Sequence, residues 1–165
     1  MDEIKFSLGI YYEENTGFNF WTIDISINDH KLLDIVSEIE RENARRMGLD
    51  FWGGYASLEA NPYHLQGNYF LGNSSIGQSK PTVWVLGCTC TIPECWGVQA
   101  SIRANSEIVQ WTDIANPWLV NGLPSVWDTV SPEDFVAFDY SSIGPFVFDR
   151  LKYDHALTVL RRSFW

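Results

Sequence analysis

Basic side chains are scarce in this chain. Lysine and arginine number 11 against 21 aspartates and glutamates, for a formal charge of -10. Such a chain repels polyphosphate, so nucleic acid is not an expected partner without a local basic patch. The one basic concentration is Arg150, Lys152, Arg161 and Arg162. It falls on a predicted C-terminal helix, where it complements the helix dipole or solvates the outer face. Long apolar runs are missing as well. No stretch approaches the roughly 18 residues that a membrane span needs, and Met1-Asp2-Glu3 lacks the basic start and apolar run of a signal peptide. A membrane is therefore not an expected partner either. Cysteine is sparse and odd in number, with Cys88, Cys90 and Cys95 alone. Without an export signal, this points to a reducing cytoplasm in which thiols stay free or bind metal. The usual catalytic signatures are also lacking: no G-x-S-x-G elbow, no glycine-rich phosphate loop before a lysine, no H-E-x-x-H helix. Asp154 and His155 are adjacent, and adjacent helix positions diverge, which makes them a poor catalytic dyad.

Aromatic residues are what the chain has in plenty: eight Trp, ten Phe and seven Tyr in 165 residues. Rings of that size fill the core of a small domain, and the length suits a single domain over 1–165. Ile4, Phe6, Leu8, Ile10 and Tyr12 alternate with mostly small or polar residues, as do Trp21, Ile23, Ile25 and Ile27. Glu13 to Gly17 supplies turn chemistry between them, so the chain opens on a β-hairpin. Asn28 or Asp29 is a candidate cap for the helix that follows, whose buried stripe is Leu32, Ile35, Val36 and Ile39 and whose stop is Gly48. From Leu49 to Lys80 the turn signals crowd together and no element is predicted. Val83 to Cys90 and Trp96 to Ile102 form a second hairpin, and Glu107 to Thr112 adds a strand. Phe135, Val136 and Phe138 suggest a short strand within a second long connection, and Asp149 caps a closing helix with Leu151, Tyr153, Ala156, Leu157 and Leu160 on its buried side. The predicted fold is α+β: an antiparallel sheet of two hairpins plus one strand, packed against a helix in the N-terminal half and a C-terminal helix.

The second hairpin carries the only concentrated chemistry. Strand alternation places Trp84, Leu86, Cys88 and Cys90 on one face. Cys90 and Cys95 bracket Thr91-Ile92-Pro93-Glu94 and are expected to face each other across the hairpin mouth. Three readings follow. Soft thiolates select zinc, which wants four tetrahedral ligands; three cysteines then need His64, His30, His155 or a carboxylate such as Glu94 to complete the shell. A redox pair of Cys90 and Cys95 needs a nearby cation to activate a thiol, and Glu94 has the wrong sign. The simplest reading is three reduced thiols packed as small hydrophobes beside Trp84 and Trp96.

Several residues of this half also resemble a signature. Leu86-Gly87-Cys88-Thr89-Cys90 with Cys95-Trp96, then Val109-Gln110-Trp111, then Gly144 to Arg150 with Tyr153 and Ala156-Leu157, is similar to a family of bacterial proteins that form a domain of unknown function. This chain has Thr91 and Gly97 where members carry Gly and Pro. The resemblance spans Leu86 to Leu157 and implies a domain but no activity.

The functional expectation is a non-catalytic interaction or structural protein that binds another protein through exposed aromatics. The alternative is a zinc-binding protein or small enzyme with its site at Cys88, Cys90, Cys95 and His64.

Overall fold

The computed structural model describes residues 1–49, 53–72, 82–90, 95–121 and 136–165. Among these the chain runs β1 (Ile4–Glu13), β2 (Phe18–Ile27), β3 (His30–Lys31), α1 (Leu32–Arg46), β4 (Tyr55–Glu59) and α2 (Pro62–Leu65). A 3-10 turn at Tyr69–Leu71 follows, then β5 (Thr82–Cys88), β6 (Val98–Ala104), β7 (Ile108–Ala115), α3 (Pro117–Asn121), β8 (Phe146–Asp149) and α4 (Arg150–Phe164). The fold is α+β. One antiparallel sheet has the order β1-β2-β4-β5-β6-β7-β8, with the short β3 on β2, and helices α1 and α4 pack on it.

The two predicted hairpins are present, and their alternation is the cause. Leu8 faces Ile23 and Phe6 faces Ile25 across β1 and β2, so each cross-strand pair adds to one apolar face. Two strands that sequence periodicity does not reveal join the pieces. β4 pairs with β2 through Thr22–Glu59 and Ile23–Leu58, and with β5 through Tyr55–Cys88, Ala56–Gly87 and Ser57–Leu86. β8 pairs with β7, and Asp2 bridges to Phe148, so the sheet curls until its first strand meets its last. Asp2 secures that closure with its amide on the Val147 carbonyl and a carboxylate oxygen on the Val147 amide, both 2.8 Å.

Leu151, expected on the buried side of α4, is 79% exposed, and Tyr153, Leu157 and Leu160 are the helix's buried residues. Three further expectations change. Asn28 and Asp29 do not cap α1. Both have positive φ (51° and 64°) and form the two-residue turn between Ile27 and His30, a conformation that Asn and Asp tolerate best among residues with a Cβ. Lys31 holds the N-cap position without a side-chain bond. The single-face alternation of Trp84, Leu86 and Cys88 is broken, because the register slips between Trp84 (opposite Gln99) and Leu86 (opposite Val98). The bulge leaves Trp84 half-buried and Leu86 buried. Val136 and Phe138 lie outside any strand; Phe138 is buried and its amide bonds the Leu119 carbonyl. Phe51, Trp52, Asn73 to Ser75, Thr91 to Glu94, Gly122, Pro124, Pro132 and Phe135 lie outside the described residues.

The other two predicted helix ends are as expected. Gly48 (φ 68°) stops α1: its amide bonds Arg45 and the next amide, of Leu49, bonds Ala44. Asp149 caps α4 by accepting from the Lys152 amide at 3.0 Å. α4 is fixed to the sheet through Tyr153, whose ring lies 5.7 Å from Phe6 and 5.6 Å from Phe148. Its hydroxyl donates to the Phe70 carbonyl at 2.6 Å and accepts from Trp111 Nε1 at 3.1 Å. Tyr153→Phe leaves both partners buried and unsatisfied. The expected loss is about 2–4 kcal/mol, read as a lower urea midpoint with an unchanged slope.

Candidate functional site

β5 ends at Cys88, and the chain turns at Thr89-Cys90 and re-enters the sheet at Val98 after the turn containing Cys95 and Trp96. The cysteines Cys90 and Cys95 are therefore in the connection, not opposed in a ladder. Their sulfurs nonetheless converge: all three Sγ atoms lie within 4.8 Å of one another, with Cys88 buried and Cys90 and Cys95 exposed. The connection is held from several sides. The Thr89 amide bonds the Gly54 carbonyl at 3.0 Å, Trp96 Nε1 donates to the Gly53 carbonyl at 2.7 Å, and the Tyr11 hydroxyl donates to the Thr89 carbonyl at 3.1 Å. Trp96 stacks on Tyr55, which pairs with Cys88 across β4 and β5. The Cys90 amide points at Cys88 Sγ, 3.4 Å away.

None of the three sulfurs forms a disulfide. Burial pushes the Cys88 thiol up to about 11, with the Cys90 thiol adding to the shift. The Cys95 thiol is raised by its bond to Cys90 and by partial desolvation. Thiols so shifted are poor nucleophiles at neutral pH, because the reactive form is the thiolate. A bound cation inverts that balance by displacing the protons.

His64 is not part of this cluster. It sits on α2, beyond the Glu59 end of β4, while Cys88 lies opposite the Tyr55 end. Four strand positions separate the two ends, about 13 Å of extended chain. The His64 ring is buried, with Nδ1 2.6 Å from the Glu59 carbonyl and edge-to-face contacts to Tyr69 and Tyr63. That is a structural histidine closing the turn after β4. Among the described residues, no histidine nitrogen or carboxylate oxygen joins the three sulfurs within 4.8 Å. Glu94 lies outside those residues.

A second polar centre goes unread in the sequence. Glu40 of α1 is fully buried, and its Oε1 accepts from the hydroxyls of Tyr55 and Tyr140, each at 2.5 Å. Asn116, also fully buried, donates to the Tyr55 hydroxyl oxygen at 2.7 Å. One turn along α1, Asn43 clasps the same segment, donating to the Asp139 carbonyl and accepting from its amide. Among the described residues, Glu40 Oε2 has no hydrogen-bond partner. The signal was present: Glu40 and Asn43 continue the Leu32–Val36–Ala44 stripe that faces the core. A groove of about 450 Å³ opens beside Tyr140, bordered by Thr112, Asp113, Asp139 and Ile143.

Comparison with known proteins returns no matching family model, no matching curated protein and no matching solved structure. The resemblance around Leu86 to Trp96 thus rests on its residues alone. Among the described residues, no helix is long and apolar enough to cross a membrane.

Burial pushes the Glu40 carboxyl up from 4.5 to about 7, against the two tyrosine hydroxyls that favour its ionised form. The folded protein then binds more protons than the unfolded chain between those values, so stability falls as pH rises from about 4.5 through about 7. The full loss is about 3 kcal/mol. Glu40→Gln removes the titration while keeping an acceptor for the tyrosines. Urea melts from pH 4.5 to pH 8 should show a downward slope in the parent that is flattened in the variant.

Proposed function

We propose that this chain is a metal-binding protein in which Cys88, Cys90 and Cys95 hold one zinc ion. The single observation that supports the reading is the convergence of three sulfurs contributed by a strand end and two turn positions. In a tetrahedral site with zinc–sulfur bonds of about 2.3 Å, the sulfurs are about 3.8 Å apart. Sulfurs that all lie within 4.8 Å of one another are close to this spacing. All-sulfur donors suit a soft or borderline cation and disfavour magnesium or calcium. Cys90 and Cys95 face solvent, so water takes the fourth position in this reading. With raised thiols and His64 at the far end of β4, the cluster suits holding an ion better than attacking a substrate.

Protein purified without chelator should carry one zinc per chain by elemental analysis. Replacement by cobalt should give thiolate-to-metal charge-transfer absorption scaled to three sulfurs. Cys90→Ser and Cys95→Ser should each weaken binding by at least about tenfold, since a hydroxyl is a far poorer soft-metal ligand. With free zinc at 100 times its dissociation constant, the parent gains about 2.7 kcal/mol of stability. Substoichiometric zinc together with no cobalt charge-transfer band would sink the proposal.

A further inference from the structure

The β1–β2 hairpin runs past the core it helps to build. Its inward face begins with Phe6 opposite Ile25, both buried, and half-buried Leu8 opposite buried Ile23. The same face continues into Ile10 opposite Trp21, and then Tyr12, which are 64%, 54% and 56% exposed. Isolated exposed apolar residues are ordinary, but three contiguous large ones on one sheet face are not. The adjoining backbone is open as well. β1 is the first strand of the sheet, and among the described residues its outer edge meets another strand only at Asp2. From Leu8 to Glu13 it therefore offers a row of strand donors and acceptors beside an apolar strip. At the turn end of the hairpin, beside this strip, the charge is negative: Glu13 and Glu14 lie there with no lysine or arginine between Phe6 and Asp29, while at the other end Asp29 is paired with Lys5.

We infer that the outer edge of β1 is a docking site for an extended basic polypeptide segment, which adds to the sheet as a further strand and covers Ile10, Tyr12 and Trp21. Backbone pairing supplies the binding mode, and the Ile10–Trp21–Tyr12 strip supplies the contact for alternate apolar side chains. The acidic surroundings, in a chain of net charge -10, select lysine and arginine at the solvent-facing positions and steer their approach. The same net charge argues against a second copy of this chain, since two molecules of charge -10 repel each other. This site is separate from the cysteine cluster and does not depend on a metal.

The test uses the full chain and three synthetic peptides of about ten residues: alternating lysine–valine, alternating lysine–proline, and alternating glutamate–valine. The lysine–valine peptide should bind saturably, more weakly as salt rises, with amide shifts concentrated on Leu8 to Glu13. The lysine–proline peptide has the same charge but no ladder donor at every second residue, and it should bind at least about tenfold more weakly. The glutamate–valine peptide should not bind. Ile10→Lys and Trp21→Lys change exposed side chains, and folded variants, verified by unchanged thermal melts, should each bind about tenfold more weakly. Equal binding of both lysine peptides would overturn the proposal by reducing it to general polyanion attraction. Absence of lysine–valine binding, or a β1-mediated dimer in sedimentation, would overturn it too.

Discussion

Ile23 and Leu58 face each other, both without solvent exposure, in the two-pair contact that joins β2 to β4. That contact is small, yet the N-terminal hairpin reaches the rest of the sheet through it. β4 itself is five residues long, and each part of it has a second duty. Its backbone pairs with β5 and so sets where Cys88 ends its strand. Its first residue, Tyr55, donates to Glu40 of α1 and stacks on Trp96 of the cysteine connection. Its last, Glu59, lends a carbonyl to His64. A strand held on both edges and at both ends has few alternative registers. A one-residue slip would move Leu58 off the core face and detach Tyr55 from the carboxyl at once.

The two polar centres that hang on β4 obey opposite rules. The cysteine cluster lies partly in solvent and is electrostatically indifferent while its thiols are protonated; a cation there would replace protons, and two of the three sulfurs are reachable from outside. Glu40 has no such access. Its choice is between an anion without water and a neutral acid with one unpartnered oxygen, and burial tips that choice toward the neutral form up to about pH 7. Its two tyrosine donors and Asn116 connect α1, β4 and the segment around Tyr140, elements far apart in sequence. A fully apolar substitute could pack there, but it would not select among those partners by geometry. This is the property by which buried polar networks favour one arrangement over near alternatives.

The strands and helices legible in the sequence are those whose signals are periodic and local. β1 and β2 alternate cleanly, α1 has a four-residue stripe, and Gly48 and Asp149 stand where helix chemistry wants them. β4 was not legible because Tyr-Ala-Ser-Leu-Glu is short, has small residues at two of five places, and is buried on both sides. β8 hides between a Gly-Pro turn and the α4 cap for the same reason of length. At the site, three neighbouring cysteines were visible from spacing, but their geometry was not. A bulge after Trp84 and an early strand end at Cys88 override simple alternation, and neither leaves a mark in the residue types. In the sequence His64 reads as a reachable ligand because a loop histidine and a turn-closing histidine look alike until the partner carbonyl of Glu59 is known. Asn28 and Asp29 are good caps and good turn formers, and tertiary pairing of Ile27 with His30 decided between the two.

One physical link connects the cysteine cluster to the exposed hairpin. Tyr11 points from β1 to the side opposite Ile10 and Tyr12, and its hydroxyl bonds the Thr89 carbonyl, between Cys88 and Cys90. A neutral hydrogen bond on a partly exposed site contributes about 1 kcal/mol. Coupling through that bond alone cannot exceed its own free energy, so occupancy of one place can alter affinity at the other by no more than about fivefold. The remaining supports of the cysteine connection run to Gly53 and Gly54, not to the hairpin. The proposed metal site at the end of β5 and the proposed docking edge of β1 would therefore act nearly independently. A stronger allosteric link would need β1 itself to shift against β2, against a ten-pair register and the closure at Asp2.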